Sequence, residues 1–324
     1  MRIKKTEIEK LWELHHHFEG RKKRAKERLD QRQERGWYFA IVGHAIPVSD
    51  YVFLEGTAHL RQVEESPGEV ELAGALRDKR LISSVGRYSN ITTAELFVNE
   101  EGERGLTMGW WLISLLRVRS LSDFLVPMAA NYSWSVIGGV DADSCEIAML
   151  EDYPMARKIE ESKRLTSEDC DWAEQNLLNF VRLLEMPSFR LAVDALTTHH
   201  FQADDRMMVA ILWAALDALF GIEAELTFRL SLCVSVALEA PGEARLEVFD
   251  RMKKLYRFRG KVVHGQALKA DAIRSHTVEV RQIISRLLCR FVEDRQVKTA
   301  AILEREILMG MPETIGENGS AVPS

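Results

Sequence analysis

The sequence predicts an α+β N-terminal domain followed by an all-α helical bundle, and three observations predict it. Short β-prone runs occur only before Pro154. After it, apolar residues recur at i, i+3 and i+4 through most of the chain. At 324 residues the chain also exceeds the size at which single cores usually stop growing, so two domains are expected. The layout read from these changes is a charged N-terminal helix (1–36), an α+β domain (37–155), a helical region (156–310) and an aperiodic tail (311–324).

In the first segment Ile8, Leu11, Trp12, Leu14 and Phe18 stand near helical spacing and run into a charged stretch from Arg21 to Arg35, which predicts one extended helix. It holds twelve Lys/Arg against seven Asp/Glu up to Gly36, so it is basic in an acidic chain. That pattern fits a solvated helix face or, less commonly, an RNA-facing arm. His15, His16 and His17 are consecutive, and consecutive helical positions point about 100° apart, so they cannot all face one ion.

From Trp37 the texture changes. Trp37–Val42, Tyr51–Leu54, Ala94–Val98, Trp134–Val140 and Glu146–Leu150 read as strands, and Leu106–Arg117 as a helix between them. Ser66-Pro67-Gly68 reads as a loop and Gly138-Gly139 as a hairpin turn. Glu64, Glu65, Glu69 and Glu71 read as a solvated acidic loop. Beyond Pro154, helices are predicted at about 166–185, 188–199, 204–220, 224–238, 243–263 and 271–295. Gly221 and Pro241-Gly242 supply stops, and four of these helices suit up-and-down packing.

Composition narrows the function classes. With 46% hydrophobic and 28% charged residues the chain is globular, and its net charge of −6 argues against a protein that coats nucleic acid with its whole surface. A local basic site is compatible with that charge. Cys145, Cys170, Cys233 and Cys289 are scattered without metal-ligand spacing, which predicts reduced thiols. The N-terminus lacks the apolar stretch of a secretory signal, and Leu106–Leu116 is too short to span a bilayer, so a cytoplasmic protein without a membrane partner is expected. His199-His200 and Asp204-Asp205 sit at a predicted helix junction, where capping is a commoner role than metal binding. No GxSxG, HExxH or GxGxxG in a supporting context is found.

The segment that carries chemistry is Tyr256-Arg257-Phe258-Arg259-Gly260-Lys261-Val262-Val263-His264-Gly265, with Arg259 and His264 in an Arg-x4-His spacing. From about 204 to 295 the chain resembles the Apea-like members of the HEPN superfamily. The resemblance lies in a helix like Trp213–Phe220, a second helix with Glu225 and Arg229, and a long helix ending in Tyr256, Arg259, His264 and Gly265. The chain departs from that pattern at Gly260, where many HEPN nucleases have a small polar residue, and at Cys233, where relatives often have a basic one.

The resemblance implies a metal-independent endoribonuclease with no cofactor, active as a homodimer and serving in defence or as a toxin. Arg259 would hold the scissile phosphate, because a guanidinium stays charged and binds phosphate in a forked geometry. His264 would move the proton, since imidazole titrates near neutrality. Lys261, Arg257 and Tyr256 would contact RNA, with tRNA a candidate, while Glu225 and Gly265 support the site. Residues five apart on a regular helix point about 140° away from each other, so either the helix loosens near Gly260 and ends at Gly265 or two chains build the site. The N-terminal domain would then meet an inhibitor or a trigger. Two other readings fit the same residues: a non-catalytic HEPN module that dimerises and binds RNA or a nucleotide, and a regulatory partner of a nucleotidyltransferase. A purely structural role is the remaining alternative, with Arg259 paired to Glu225 and His264 capping the last carbonyls of its helix.

Overall fold

The computed structural model describes residues 5–31, 34–43, 50–122, 124–151 and 164–309, with side chains from His16 onward. The expected domain boundary near 155 and the tail from 311 lie outside the described residues. The chain forms two compact units, Met1–Leu178 and Asn179–Ser324.

The first unit opens with helix α1 (Lys5–Gln31) and builds a six-stranded antiparallel sheet in the order β2-β3-β4-β1-β5-β6. Its strands are β1 (Trp37–Val42), β2 (Asp50–Phe53), β3 (Ala58–Gln62), β4 (Thr92–Val98), β5 (Met128–Ala130) and β6 (Ile147–Met149). β1 pairs with β4 from Trp37 opposite Val98 and is buried at every position, as a central strand covered on both faces should be. Helices α2 (Glu69–Ala75) and α3 (Ile82–Ser89) lie between β3 and β4, and α4 (Gly102–Ser120) follows β4. Gly109 lets α4 settle on the sheet, because a Cβ there would stand 2.1 Å from the Phe39 ring.

Two buried polar networks tie loops to this sheet. Glu95 on β4 accepts from Arg61 at 2.7 Å, from the Ser133 hydroxyl at 2.8 Å and from the Trp134 amide at 2.8 Å. Arg117 on α4 forks onto Glu151 with two contacts of 2.7 Å and also donates to the Phe124 carbonyl, while Glu151 accepts from the Val126 amide.

Three expectations need correction here. Trp134–Val140 is not a strand, nor is Gly138-Gly139 a hairpin turn. Trp134 is drawn inward by Glu95 and by its indole N–H donating to the Tyr38 carbonyl, and residues 137–139 form a 3-10 turn against α1. A Cβ on Gly139 would lie 2.4 Å from the Lys26 nitrogen, so this glycine serves close approach. The acidic run is not simply solvated either. Glu65 pairs with Arg21, Arg24 and Arg28, and Glu71 with Arg21, so the basic face of α1 and the acids at 64–71 neutralise each other. Those arginines hold the Glu65 carboxyl down at about 2, Arg24 foremost. Strands β3 and β5 were not legible: the first is rich in weak strand formers, and the second is three residues long.

The second unit is helical. It comprises the end of α5 (Ser167–Leu183), then α6 (Pro187–Thr198), α7 (Asp205–Phe220), α8 (Leu226–Leu238), α9 (Glu243–Val263), α10 (Ala270–Glu293) and α11 (Ala300–Met309). α7 is central and packs on α6, α9 and α10, burying Leu212, Trp213, Leu216 and Phe220. α8 packs on α9, α10 and α11. The Asp204 carboxylate caps α7 by accepting from the amides of Arg206 and Met207, and left-handed Gly221 ends that helix. α11 was not anticipated from the sequence. Cys145, Cys170, Cys233 and Cys289 are free and buried. Among the described residues no helix is long and apolar enough to cross a membrane.

The Arg117–Glu151 pair sets a stability prediction. Both side chains are under 5% exposed. Arg117→Met would strand a buried carboxylate and should cost about 3–5 kcal/mol. Urea denaturation followed by tryptophan fluorescence measures this, and a loss below about 1 kcal/mol would contradict the role given to the pair.

Candidate functional site

The candidate site is built around the end of α9. The helix runs without interruption through Gly260 to Val263, so it does not loosen at that glycine. Its end is a Schellman motif: Gly265 takes φ +72° and donates to the Val262 carbonyl at 3.2 Å, and the Gln266 amide reaches the Lys261 carbonyl at 3.1 Å. Gly265 is there because that left-handed position strains any residue with a Cβ. Arg206, in the first turn of α7, donates to the Val262 and Gln266 carbonyls, both at 2.7 Å. One cation thus fixes the turn that carries His264.

His264 is the residue at which α9 ends. Its amide donates to the Gly260 carbonyl at 3.0 Å, and its side chain is exposed. It is not the side chain that caps the last carbonyls; Arg206 fills that role. Arg259 does not pair with Glu225. Its Nη2 lies 3.5 Å from the Asp217 carboxylate on α7, a long contact, and its guanidinium carbon stands 5.4 Å from the Tyr256 ring centroid. Burial pushes the Asp217 carboxyl pKa up, and Arg259 opposes that shift. One Asp217 oxygen and the Arg259 Nε are enclosed without a hydrogen-bond partner.

Below Arg259 lies an aromatic stack that fixes this stretch of α9. Tyr256 meets Trp213 edge to face at 5.4 Å, and Trp213 lies parallel to His276 of α10 at 5.8 Å. The Trp213 indole donates to His276 Nε2 at 2.9 Å, which places the imidazole proton on Nδ1. Phe258 packs on the same imidazole at 4.8 Å. Tyr256 is therefore partly a packing residue, with one part of its ring left to the surface.

Arg257, Lys261 and His264 are exposed, and Lys254 continues their line. Positions 254, 257, 261 and 264 recur at steps of three and four, which places them on one face. Lys254, Arg257 and Lys261 make no ion pair among the described residues. Arg251, by contrast, is paired with Glu279, and Arg229 with Glu304 at 2.7 Å. From Arg251 to Val263 the chain has six cations and no acid, so this end of α9 presents a local positive surface in an acidic protein.

Glu225, at the start of α8, is exposed and left-handed at φ +53°, a conformation that costs a non-glycine residue about 1–2 kcal/mol. Its carboxylate makes no capping bond. With Leu226, Thr227, Phe228 and Tyr256 it lines an open depression of 460 Å³. The structure thus brings Tyr256 together with Arg259 and with Glu225, and lays Arg257, Lys261 and His264 along one face. It does not converge Arg259 with His264 on a single helix.

Asp217 and Arg206 were missed by sequence reasoning. An aspartate amid Leu216, Ala218 and Leu219 on an apolar helix was the available signal for the first. Asp204 caps α7, and His199 and His200 are buried. Among the described residues no group of three or more His, Cys, Asp or Glu could hold a metal ion. No protein-family model matches the chain, and neither a curated protein nor a solved structure matches it.

The buried imidazoles predict a pH response of this unit. Burial lowers the His276 pKa from 6.5 to about 4 and that of His199 to about 3. The unfolded chain therefore binds more protons than the folded one between these values and 6.5. Stability is full above pH 6.5 and declines as pH falls through the folded pKa values. Thermal melts from pH 7 to pH 4 should show a falling midpoint, and a flat profile would contradict the burial of neutral imidazoles.

Proposed function

We propose that the helical unit is a metal-independent endoribonuclease of HEPN type acting in defence or as a toxin, and that the end of α9 is its active site. The observation that supports this most is an exposed His264 and a half-buried Arg259 at the end of a helix whose outward Lys254, Arg257 and Lys261 make no ion pair among the described residues. In this reading Arg259 binds a non-bridging oxygen of the scissile phosphate. The ribose 2′-oxygen attacks phosphorus, the bond to the 5′-oxygen breaks, and the products are a 2′,3′-cyclic phosphate and a 5′-hydroxyl. His264 accepts the 2′-hydroxyl proton, and a second His264 from another protomer protonates the leaving oxygen.

Helix geometry supports the two-chain arrangement. Arg259 and His264 diverge by about 140° on one regular helix, so a homodimer with two motifs facing one groove brings both residue types to one phosphate. RNA, with tRNA as a candidate, is then the substrate. The first unit senses a trigger or binds an inhibitor, and its 810 Å³ cavity, lined among others by Glu34, Trp37, Tyr38 and Tyr132, is the place for a small one.

One observation favours a second reading. Arg259 is held on Asp217, as it would be in a non-catalytic module that dimerises and binds RNA or a nucleotide. The 3.5 Å length of that contact leaves the guanidinium able to exchange the carboxylate for a phosphate, so catalysis is the reading preferred here.

Purified protein incubated with total RNA and tRNA in EDTA should cut both, leaving 2′,3′-cyclic ends. His264→Ala and Arg259→Ala should each lower the rate by at least about 100-fold. Asp217→Asn, which removes the carboxylate that phosphate has to displace, should leave cleavage at least as fast as in the unsubstituted protein. Undiminished cleavage by His264→Ala contradicts the mechanism, and binding without cleavage supports the second reading.

A further inference from the structure

We propose that the depression between the start of α8 and the face of α9 is a nucleobase subsite that selects guanine beside the phosphate held at Arg259. The inference rests on the reading of α9 as an RNA-processing site. It concerns which base that site accepts.

The depression has a volume of 460 Å³ and is open to solvent, so a base would lie on it through stacking and edge contacts. Two of its residues are aromatic and come from different helices. Phe228 of α8 is 53% exposed, and Phe249 meets it at 82° and 5.7 Å, which supports the ring from one side. Tyr256 of α9 is fixed by Trp213. An exposed ring on a fixed support is what a base needs for stacking, and stacking alone accepts any base.

Discrimination comes from Glu225, the acid among the lining residues. An ionised carboxylate only accepts hydrogen bonds. Guanine offers it two adjacent donors, N1–H and the exocyclic N2–H. Adenine and cytosine set a ring-nitrogen lone pair beside their amine, and uracil flanks its single N–H with two carbonyls. Each of these three bases would turn a lone pair toward the carboxylate. Thr227, in the same wall, carries a hydroxyl able to donate to guanine O6.

Among the described residues the Glu225 carboxylate forms neither a cap hydrogen bond nor a salt bridge, and its charge adds only a small pull on Arg229, although it occupies a helix start in a strained left-handed conformation. The neighbouring Arg229 is taken by Glu304. Tyr256 then links the subsite to the proposed chemistry, since its ring lines the depression while the Arg259 guanidinium carbon lies 5.4 Å from its centroid. A base in the depression and a phosphate at Arg259 are thus one side chain apart, as the parts of one nucleotide require.

The test uses full-length His264→Ala protein, so that RNA stays intact, and fluorescence anisotropy with single-stranded hexauridylate carrying one central guanine, adenine or cytosine. The guanine oligomer should bind about tenfold or more tightly than the others, and inosine in its place, lacking the N2 amine, should lose much of that gain. Adding Glu225→Gln should bring guanine down to the level of the other bases, and Phe228→Ala should weaken all oligomers about tenfold. Circular dichroism checks that both variants fold. Equal binding of the oligomers, no binding, or a guanine preference that survives Glu225→Gln overturns the subsite. Cleavage by the unsubstituted protein without base preference overturns the subsite and leaves the nuclease. Guanine binding without any cleavage does the reverse.

Discussion

Arg206 reaches from the first turn of α7 to two carbonyl oxygens at the end of α9, and the candidate site depends on that contact. A helix end leaves carbonyls without partners, and here a left-handed glycine and a bidentate cation satisfy them together. The consequence is positional. These contacts hold the C-terminal turn of α9, which carries His264. One face of the helix is pinned to α7 through Tyr256, Trp213 and Asp217, while Lys254, Arg257 and Lys261 face outward.

Charge in the two units is handled in opposite ways. The basic helix α1 lies against an acidic run, and Arg21, Arg24 and Arg28 each find a carboxylate there. The charge of those three arginines is thereby neutralised. Near the end of α9, Lys254, Arg257 and Lys261 make no ion pair among the described residues, so a chain with a net charge of −6 still offers a local positive surface.

Much of the fold was legible in the sequence wherever punctuation and periodicity agree. Pro241-Gly242 and Gly265 bracket α9, and its predicted limits match the helix; the all-buried run Trp37–Val42 likewise reads as the strand it is. Trp134–Val140 was misread because β-prone residues there are drawn into turns by Glu95 and the Tyr38 carbonyl, partners remote in sequence. The site shows the same division. Arg259, His264 and Gly265 stand out in a short motif, whereas Asp217 lies 42 residues from Arg259 and is joined to it only by helix packing. Local spacing carries information about local structure; a tertiary ion pair leaves no trace in it beyond an acid on an apolar helix face.

In the proposed mechanism a phosphate of RNA displaces Asp217 from Arg259 and comes within reach of His264. A crystal structure of the protein with an uncleavable 2′-O-methyl oligoribonucleotide tests it most directly. It should show a backbone phosphate on the Arg259 guanidinium, His264 from the same or the facing protomer at hydrogen-bond distance from it, and the strand lying along Lys261 and Arg257. An oligonucleotide bound elsewhere, with Arg259 still on Asp217 and His264 facing empty solvent, would contradict it.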